Sequence, residues 1–246
     1  MCYNKSVVDK LRQIQLQFAF TKKLRDENEA FDELPQYNAL RLQKLPIIAH
    51  RDGRLQVFKA MWWLVPSWSK DGKPDVTAFN ARVETIATSR LFAPCFKSQR
   101  CLIPVRAFFE YNPREMTTIT LRGKSKSVKQ PYCIKMNDDR SFMLAGIYSV
   151  WVDKKTGEEF PSYAVITTVP NSVVSPIHDR MPAIIDEKDF ETWLNPEFND
   201  VKVLKTLAEK PYPASRMKAH RVSAEYLYDR TNNAEECWAP LVQPAK

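Results

Sequence analysis

The stretch that most constrains the fold is RCLIPVRAFFEY at 100–111. On a period of two, Arg106, Phe108 and Glu110 face one way, and Val105, Ala107 and Phe109 the other. Both faces are largely apolar, so neither is suited to water. The pattern predicts a strand over 101–112 that is covered on both sides. A carboxylate is costly in such a strand. Glu110, set among Phe108, Phe109 and Tyr111, is expected to show a raised pKa, which makes it the first candidate for chemistry.

Further strands are expected on either side of this stretch. Asp52-Gly53 marks a tight turn between the apolar runs 45–49 and 55–65, and residues 39–66 read as strands. Strands are also expected at 131–136, 141–152 and 161–168, the last two joined by a Thr156-Gly157 turn. Residues 113–130 are polar and carry Arg114, Arg122, Lys124, Lys126 and Lys129, which suits a solvated loop or hairpin within reach of phosphates. Helices are expected at 7–30, where Val7, Val8, Leu11, Ile14 and Phe18 recur at near-helical spacing, and at 76–90, 186–195, 198–209 and 223–229. In the helix expected at 76–90, Asn80 and Glu84 would share a face. Prolines 170, 176 and 182 impose an irregular path on TTVPNSVVSPIHDRMPAII at 167–185.

Aromatic and charged residues extend the list of candidates. Trp62, Trp63 and Trp68 fall within seven residues, and such rings serve either as core or as stacking surfaces for bases. Core is the better reading for two of the three. The formal charge of +8 permits an acidic partner such as nucleic acid without requiring one. With five glycines there is no GxGxxG or GxxxxGK phosphate loop, which excludes the common nucleotide-binding motifs. No stretch approaches the ~18 apolar residues of a membrane helix. The first apolar residues are interrupted by Asp9, Lys10 and Arg12, so no secretory leader is expected. A cytoplasmic location follows, or a nuclear one in a eukaryote.

The five cysteines (Cys2, Cys95, Cys101, Cys133, Cys237) form no CxxC, and the three histidines have no finger-like spacing to them. Buried thiols are expected, with no metal and no cofactor. Cys2 differs from the rest by position. Removal of Met1 would leave it with a free α-amine beside its thiol, a vicinal aminothiol that no internal cysteine has. Such a group condenses with an aldehyde to an imine, and the thiol then closes a thiazolidine ring. With the amine near ~7.7–8.0 and the thiol near ~8.5, part of each is nucleophilic at neutral pH.

Five blocks in order carry a resemblance to a known family: Cys2 after Met1, WWLVPSW at 62–68, FNARVET at 79–85, RCLIPVRAFFEY at 100–111, and the 167–185 segment. The chain resembles the SRAP family, the SOS response-associated peptidases or abasic-site processing proteins. The resemblance, joined to the pattern of strands and helices, implies an α+β fold. It would be one domain over 1–246 with a mixed, largely antiparallel, barrel-like β-core flanked by helices, and with a lineage-specific helical insertion around 20–45.

It also implies an activity. Members bind single-stranded DNA and crosslink to abasic sites through the N-terminal cysteine, whose exposure is assigned to self-processing. Carried over, Cys2 is the nucleophile, Asn80 holds the cysteine end or the opened sugar, Glu110 is the acid/base, and His178 assists proton transfer. Arg82 and Arg180 are expected at phosphates, Trp62 and Trp68 at bases. The implied partner is single-stranded DNA containing abasic sites, bound by a monomer, with no membrane. The family begins Met-Cys-Gly-Arg, whereas Tyr3 and Asn4 stand here, so Lys5 is expected to replace the arginine at a phosphate. Trp63 stands where the family has glycine. Two other classes of function compete: an N-terminal-cysteine peptidase acting on proteins, and a non-covalent single-strand-binding module.

Overall fold

The apolar run at 100–111 is two strands, with a corner at Arg106. In this computed structural model, which describes residues 4–24, 30–31, 34–73 and 78–241, strand β6 (Arg100–Val105) is buried along its whole length and strand β7 (Ala107–Leu121) starts in a different sheet. The run is therefore apolar on both faces for two separate reasons. One half lies inside a barrel and the other lies between that barrel and the C-terminal segment. The corner is fixed through Arg106, whose backbone N–H donates to Ser6 O at 2.8 Å and whose guanidinium pairs with buried Asp9 at 2.6 Å.

The barrel closes on itself. Strands β3 (Lys44–Arg51) and β4 (Arg54–Trp62) form a hairpin; β3 pairs with β6, β6 with β9 (Phe142–Val152), β9 with β10 (Glu159–Thr168), and β10 with β4. All of these pairings are antiparallel except β10 with β4. Where β4 ends, β5 (Asn80–Arg82) takes over the same edge of β10, and β11 (Met181–Pro182) adds at its far end. The Asp52-Gly53 turn has φ of 52° and 75°, the left-handed pair that a two-residue hairpin needs.

The second sheet runs β12-β8-β7-β1-β2 and is antiparallel throughout. It is built from β1 (Asn4–Val7), β2 (Gln36–Leu40), β7, β8 (Lys124–Met136) and β12 (Met217–Arg221). Phe108 and Ile134 of this sheet join Ile103 and Tyr163 of the barrel in one hydrophobic cluster. Among the described residues, five short helices lie outside: α1 (Leu11–Gln17), α2 (Ala93–Ser98), α3 (Phe190–Leu194), α4 (Val201–Glu209) and α5 (Ala224–Tyr228). Arg100, almost wholly buried, donates to carbonyls of Phe96, Lys97, Trp193, Asn195 and Phe198 and so ties the ends of α2 and α3 to the barrel. The α+β class and the barrel-like, largely antiparallel core are as expected from sequence.

Several local expectations need correction. Residues 7–30 do not form one helix: Val7 ends β1, and only Leu11–Gln17 is α-helical, followed by a 3-10 turn at Ala19–Lys23. Residues 76–90 are not a helix either, since Asn80–Arg82 pairs in parallel with Val165–Thr167 and turns follow it. An open strand edge on β10 overrides the local pattern there. The segment around 20–45 supplies strand β2 to the second sheet where a helical insertion was expected; residues 25–29 and 32–33 of it lie outside the described residues. The polar stretch 113–130, by contrast, takes the hairpin form that was one of its two expected alternatives, with β7 and β8 running on to Leu121 and Lys124.

Candidate functional site

Strand β7 carries Glu110 into the interface between the two sheets, where it is 1% exposed. Its neighbour Phe109 pairs with Asn4 of β1, which places Glu110 beside the start of that strand. Burial pushes the Glu110 carboxyl up to about 8, and the nearby Asp179 carboxylate adds to the push. At neutral pH it is a protonated acid.

His178 comes to Glu110 from the irregular segment after β10. Its Nε2 lies 3.9 Å from Glu110 Oε2. The backbone N–H of Arg180 donates to His178 Nδ1 at 3.0 Å, while the Asp179 carboxylate lies 2.9 Å from the same nitrogen. A neutral Nδ1 cannot accept from the amide and also donate to Asp179. The amide belongs to a residue only 8% exposed, whereas the Asp179 side chain is 83% exposed, so the amide sets the tautomer and leaves the ring proton on Nε2, facing Glu110. Burial lowers the His178 pKa, with Asp179 acting in the opposite direction. A protonated carboxyl and an imidazole N–H thus face each other, and Glu110, with its pKa raised, is the group of the pair able to give up and retake a proton near neutrality while the His178 N–H stabilises the carboxylate.

Asn80 is half-buried on β5, and Arg82, two residues on and so on the same side of the strand, is exposed. Cys2 lies outside the described residues; β1 begins two residues after it. Asn4, where the family pattern has arginine, is buried. It donates to Asn38 Oδ1 and accepts from the Tyr111 hydroxyl at 2.9 Å. The mid-strand Asn38 in QYNAL was the sequence signal for this pair, and it was missed.

Three expected DNA contacts are placed elsewhere. Lys5 is fully buried: its ammonium donates to the Tyr163 hydroxyl and sits 3.9 Å from the centroid of the Trp62 ring, so it cannot meet a phosphate. Trp62 is likewise fully buried, its indole N–H bonded to Phe79 O at 2.9 Å, which leaves no face for a base. Arg180 is turned inward, with its guanidinium forked onto Glu84 and bonded to Thr167 O. Trp68 is different: 55% exposed, with the Arg90 guanidinium 5.9 Å from its ring centroid.

A cleft of about 670 Å³ opens beside Asn4. Trp63, Tyr111 and Tyr228 supply aromatic wall, Arg41, Lys129 and Arg230 supply positive charge, and among the described residues no acidic one lines it. Trp63 meets Phe79 edge-on at 5.6 Å, and Phe79 immediately precedes Asn80. The four described cysteines other than Cys2 are buried, as expected; burial pushes Cys95 and Cys133 up to about 12 and raises Cys101 and Cys237. None of these thiols is a nucleophile at neutral pH. Among the described residues no helix is long and apolar enough to cross a membrane.

Residues 1–226 match the family described as SOS response associated peptidase (SRAP). The abasic site processing protein YoqW of Bacillus subtilis is 34% identical over 203 residues, covering 82% of this chain and 84% of that one. The abasic site processing protein HMCES of Xenopus tropicalis is 29% identical over 241 residues, covering 88% and 68%. A crystal structure of a Bacteroides thetaiotaomicron protein superposes with a TM-score of 0.79 at 27% identity, covering 98% of this chain and all of the other. A family match over residues 1–226 and a relative at 34% identity, set beside the barrel and the Glu110–His178 pair, place this chain in the SRAP family.

Proposed function

We propose that this protein processes abasic sites in single-stranded DNA by forming a covalent thiazolidine crosslink through Cys2. The observation that carries the reading is the buried Glu110 carboxyl, raised to about 8, with His178 Nε2 at 3.9 Å. Met1 is first removed, by the chain's own peptidase activity or by a methionine aminopeptidase. The Cys2 amine adds to the aldehyde of the ring-opened deoxyribose. Loss of water from that adduct needs a proton on the departing oxygen, and protonated Glu110 supplies it. The Glu110 carboxylate this leaves takes a proton from the nitrogen, and the His178 Nε2–H that faces it stabilises the carboxylate in between. The Cys2 sulfur then bonds to the imine carbon, and its proton passes to the nitrogen.

The remaining residues support binding and placement. Asn80 holds the cysteine end or the opened sugar. Exposed Arg82 neutralises a flanking phosphate, and Trp68 offers a stacking face. The cleft beside Asn4, aromatic and basic, suits the strand next to the lesion. The reading needs no metal and no cofactor, and the protein acts as a monomer.

A single strand bearing one abasic site, mixed with Met1-free protein and run on a denaturing gel, tests this. A shifted band that is lost in Cys2→Ala is expected, and absence of the band in the wild type overturns the reading. A complex that disappears in denaturant would mark a non-covalent binding module. Acetylation of the α-amine would spare a peptidase that uses only the thiolate, but would abolish the crosslink.

A further inference from the structure

The β7–β8 ladder is interrupted close to the candidate site. Asn112 pairs with Gln130 and Met116 with the next residue, Lys129, so Pro113, Arg114 and Glu115 bulge from β7 without partners in the ladder. Both charged residues of the bulge are tethered. Glu115 accepts from the Tyr132 hydroxyl at 2.7 Å and pairs with Arg221 at 2.7 Å. On the other side, the Arg114 backbone N–H bonds to Asn112 Oδ1 at 3.0 Å, which fixes the direction in which its side chain leaves. Arg114 Nη2 then donates to the carbonyls of Pro176 and Ser175, two and three residues before His178.

Those carbonyls belong to the turn that presents the imidazole. Asn171 starts the turn by accepting from the amides of Val173 and Val174, and the amides of Ile177 and His178 both bond back to Val174 O. Val174 and Ile177 anchor its inner edge in the core, while Ser175 and Pro176 form its exposed edge. Arg114 is what grips that exposed edge. One strand therefore carries both Glu110 and, four residues on, the tether for the turn bearing His178.

We propose that Arg114 is a positioning residue that sets the approach of His178 to Glu110. Its role acts through the Ser175 and Pro176 carbonyls, not through DNA. Among the described residues, the titratable and charged groups around the imidazole are Glu110 from β7, Lys129 from β8 and Asp179 from its own loop. Arg114 adds its own charge, so a test has to separate charge from grip. The inference rests on the proposed reaction only where a crosslinking rate is read.

The experiment is a proton NMR titration of His178 in the wild type, Arg114→Ala and Arg114→Lys. Crosslinking rates at saturating DNA and binding of an intact single strand accompany it, with a thermal melt to confirm folding. The lysine variant keeps the charge on a stem that is shorter and has no fork. In both variants the His178 pKa is expected to climb back toward its ordinary value of 6.5 as the ring is freed from its buried setting. The crosslinking rate is expected to fall about tenfold or more, with intact-strand affinity unchanged. Wild-type titration in both folded variants overturns the proposal. So does full recovery of titration and rate in Arg114→Lys, which would make Arg114 a simple charge. So does a loss of intact-strand affinity with the rate unaffected, which would make it a phosphate contact. If the wild type forms no crosslink, the proposed reaction is what fails, and the titration alone decides for or against Arg114.

Discussion

The ammonium of Lys5 lies 3.9 Å from the centroid of the Trp62 ring and bonds to the Tyr163 hydroxyl, with both Lys5 and Trp62 fully buried. The side chain expected to reach DNA is thus an internal strut that joins β1 to the barrel. Its charge is held by aromatic faces, which stabilise a desolvated cation.

Lys5→Met should therefore leave the salt dependence of single-strand binding unchanged. A phosphate contact, by contrast, contributes about 0.7 to the slope of log K against log salt on single strands. Arg82→Ala, at an exposed position, should lower the slope by about that amount. Binding isotherms over a salt series check both. Replacing a buried cation by an apolar side chain of similar length is often neutral or stabilising, so the melting temperature of Lys5→Met should hold or rise.

Glu110 should link stability and rate to pH. Its folded pKa of about 8 lies above the ordinary 4.5, so between those values the folded state keeps a proton that the unfolded state has released. The unfolded state binds fewer protons there, and stability contributed by this group falls as pH rises. Glu110→Gln removes that dependence. The variant should melt increasingly above the wild type from pH 5 to 8, with the gap levelling beyond about 8. The crosslinking rate of the wild type should fall through the same upper limit as the acid loses its proton, while the variant stays low and flat. A wild-type rate that keeps rising above that limit would remove Glu110 as the proton donor.

Arg180 and Glu84 should behave as an inward anchor. Arg180 donates through both Nη atoms to Glu84 and also to Thr167 O, the carbonyl of the residue opposite Arg82. Arg180→Ala removes the fork, but the Glu84 side chain is 44% exposed and returns to water and Thr167 O keeps the Val83 N–H at 3.0 Å, so the fold should lose about 1 kcal/mol. The Arg180 bond holds the Glu84 pKa below its ordinary 4.5. That stabilisation is present above 4.5 and fades as pH falls through the lowered value, so the penalty of Arg180→Ala should shrink in acid. Chemical denaturation at neutral and acid pH measures it.

What the sequence made legible depended on whether the signal was local. The Asp52-Gly53 turn, the β9–β10 hairpin and the burial of Glu110 with its raised pKa were all expected from neighbours along the chain, and all are found in the structure. Asn80–Arg82 was misread because its strand exists only through a partner 85 residues away, Val165–Thr167. Lys5 failed for a similar reason. It was placed at a phosphate as a stand-in for the arginine of the family pattern, and nothing nearby in sequence announces Trp62 and Tyr163 as its surroundings. The tether from Arg114 to the turn before His178 joins positions 61 and 62 residues apart, which periodicity does not register.

The two outer tryptophans of WWLVPSW should part company on substitution. Trp62 is fully buried, lies parallel to Tyr163 with ring centroids 6.5 Å apart, and bonds Phe79 O, so Trp62→Ala opens a cavity beside Asn80 and should cost about 3–5 kcal/mol of stability. Trp68 is 55% exposed, and among the described residues the Arg90 guanidinium, 5.9 Å from the centroid, is the one cation over its ring. Trp68→Ala should leave the melting temperature nearly unchanged and weaken single-strand binding by about 1–3 kcal/mol, the range for one base stacked on one ring. Because a stacked base quenches indole fluorescence, titration of the wild type with an intact single strand should also report Trp68 directly, and that quenching should vanish in Trp68→Phe while binding persists through the remaining ring. If Trp68→Ala binds as well as the wild type, the strand runs elsewhere, and the cleft walled by Trp63, Tyr111 and Tyr228 becomes the surface on which the bases stack.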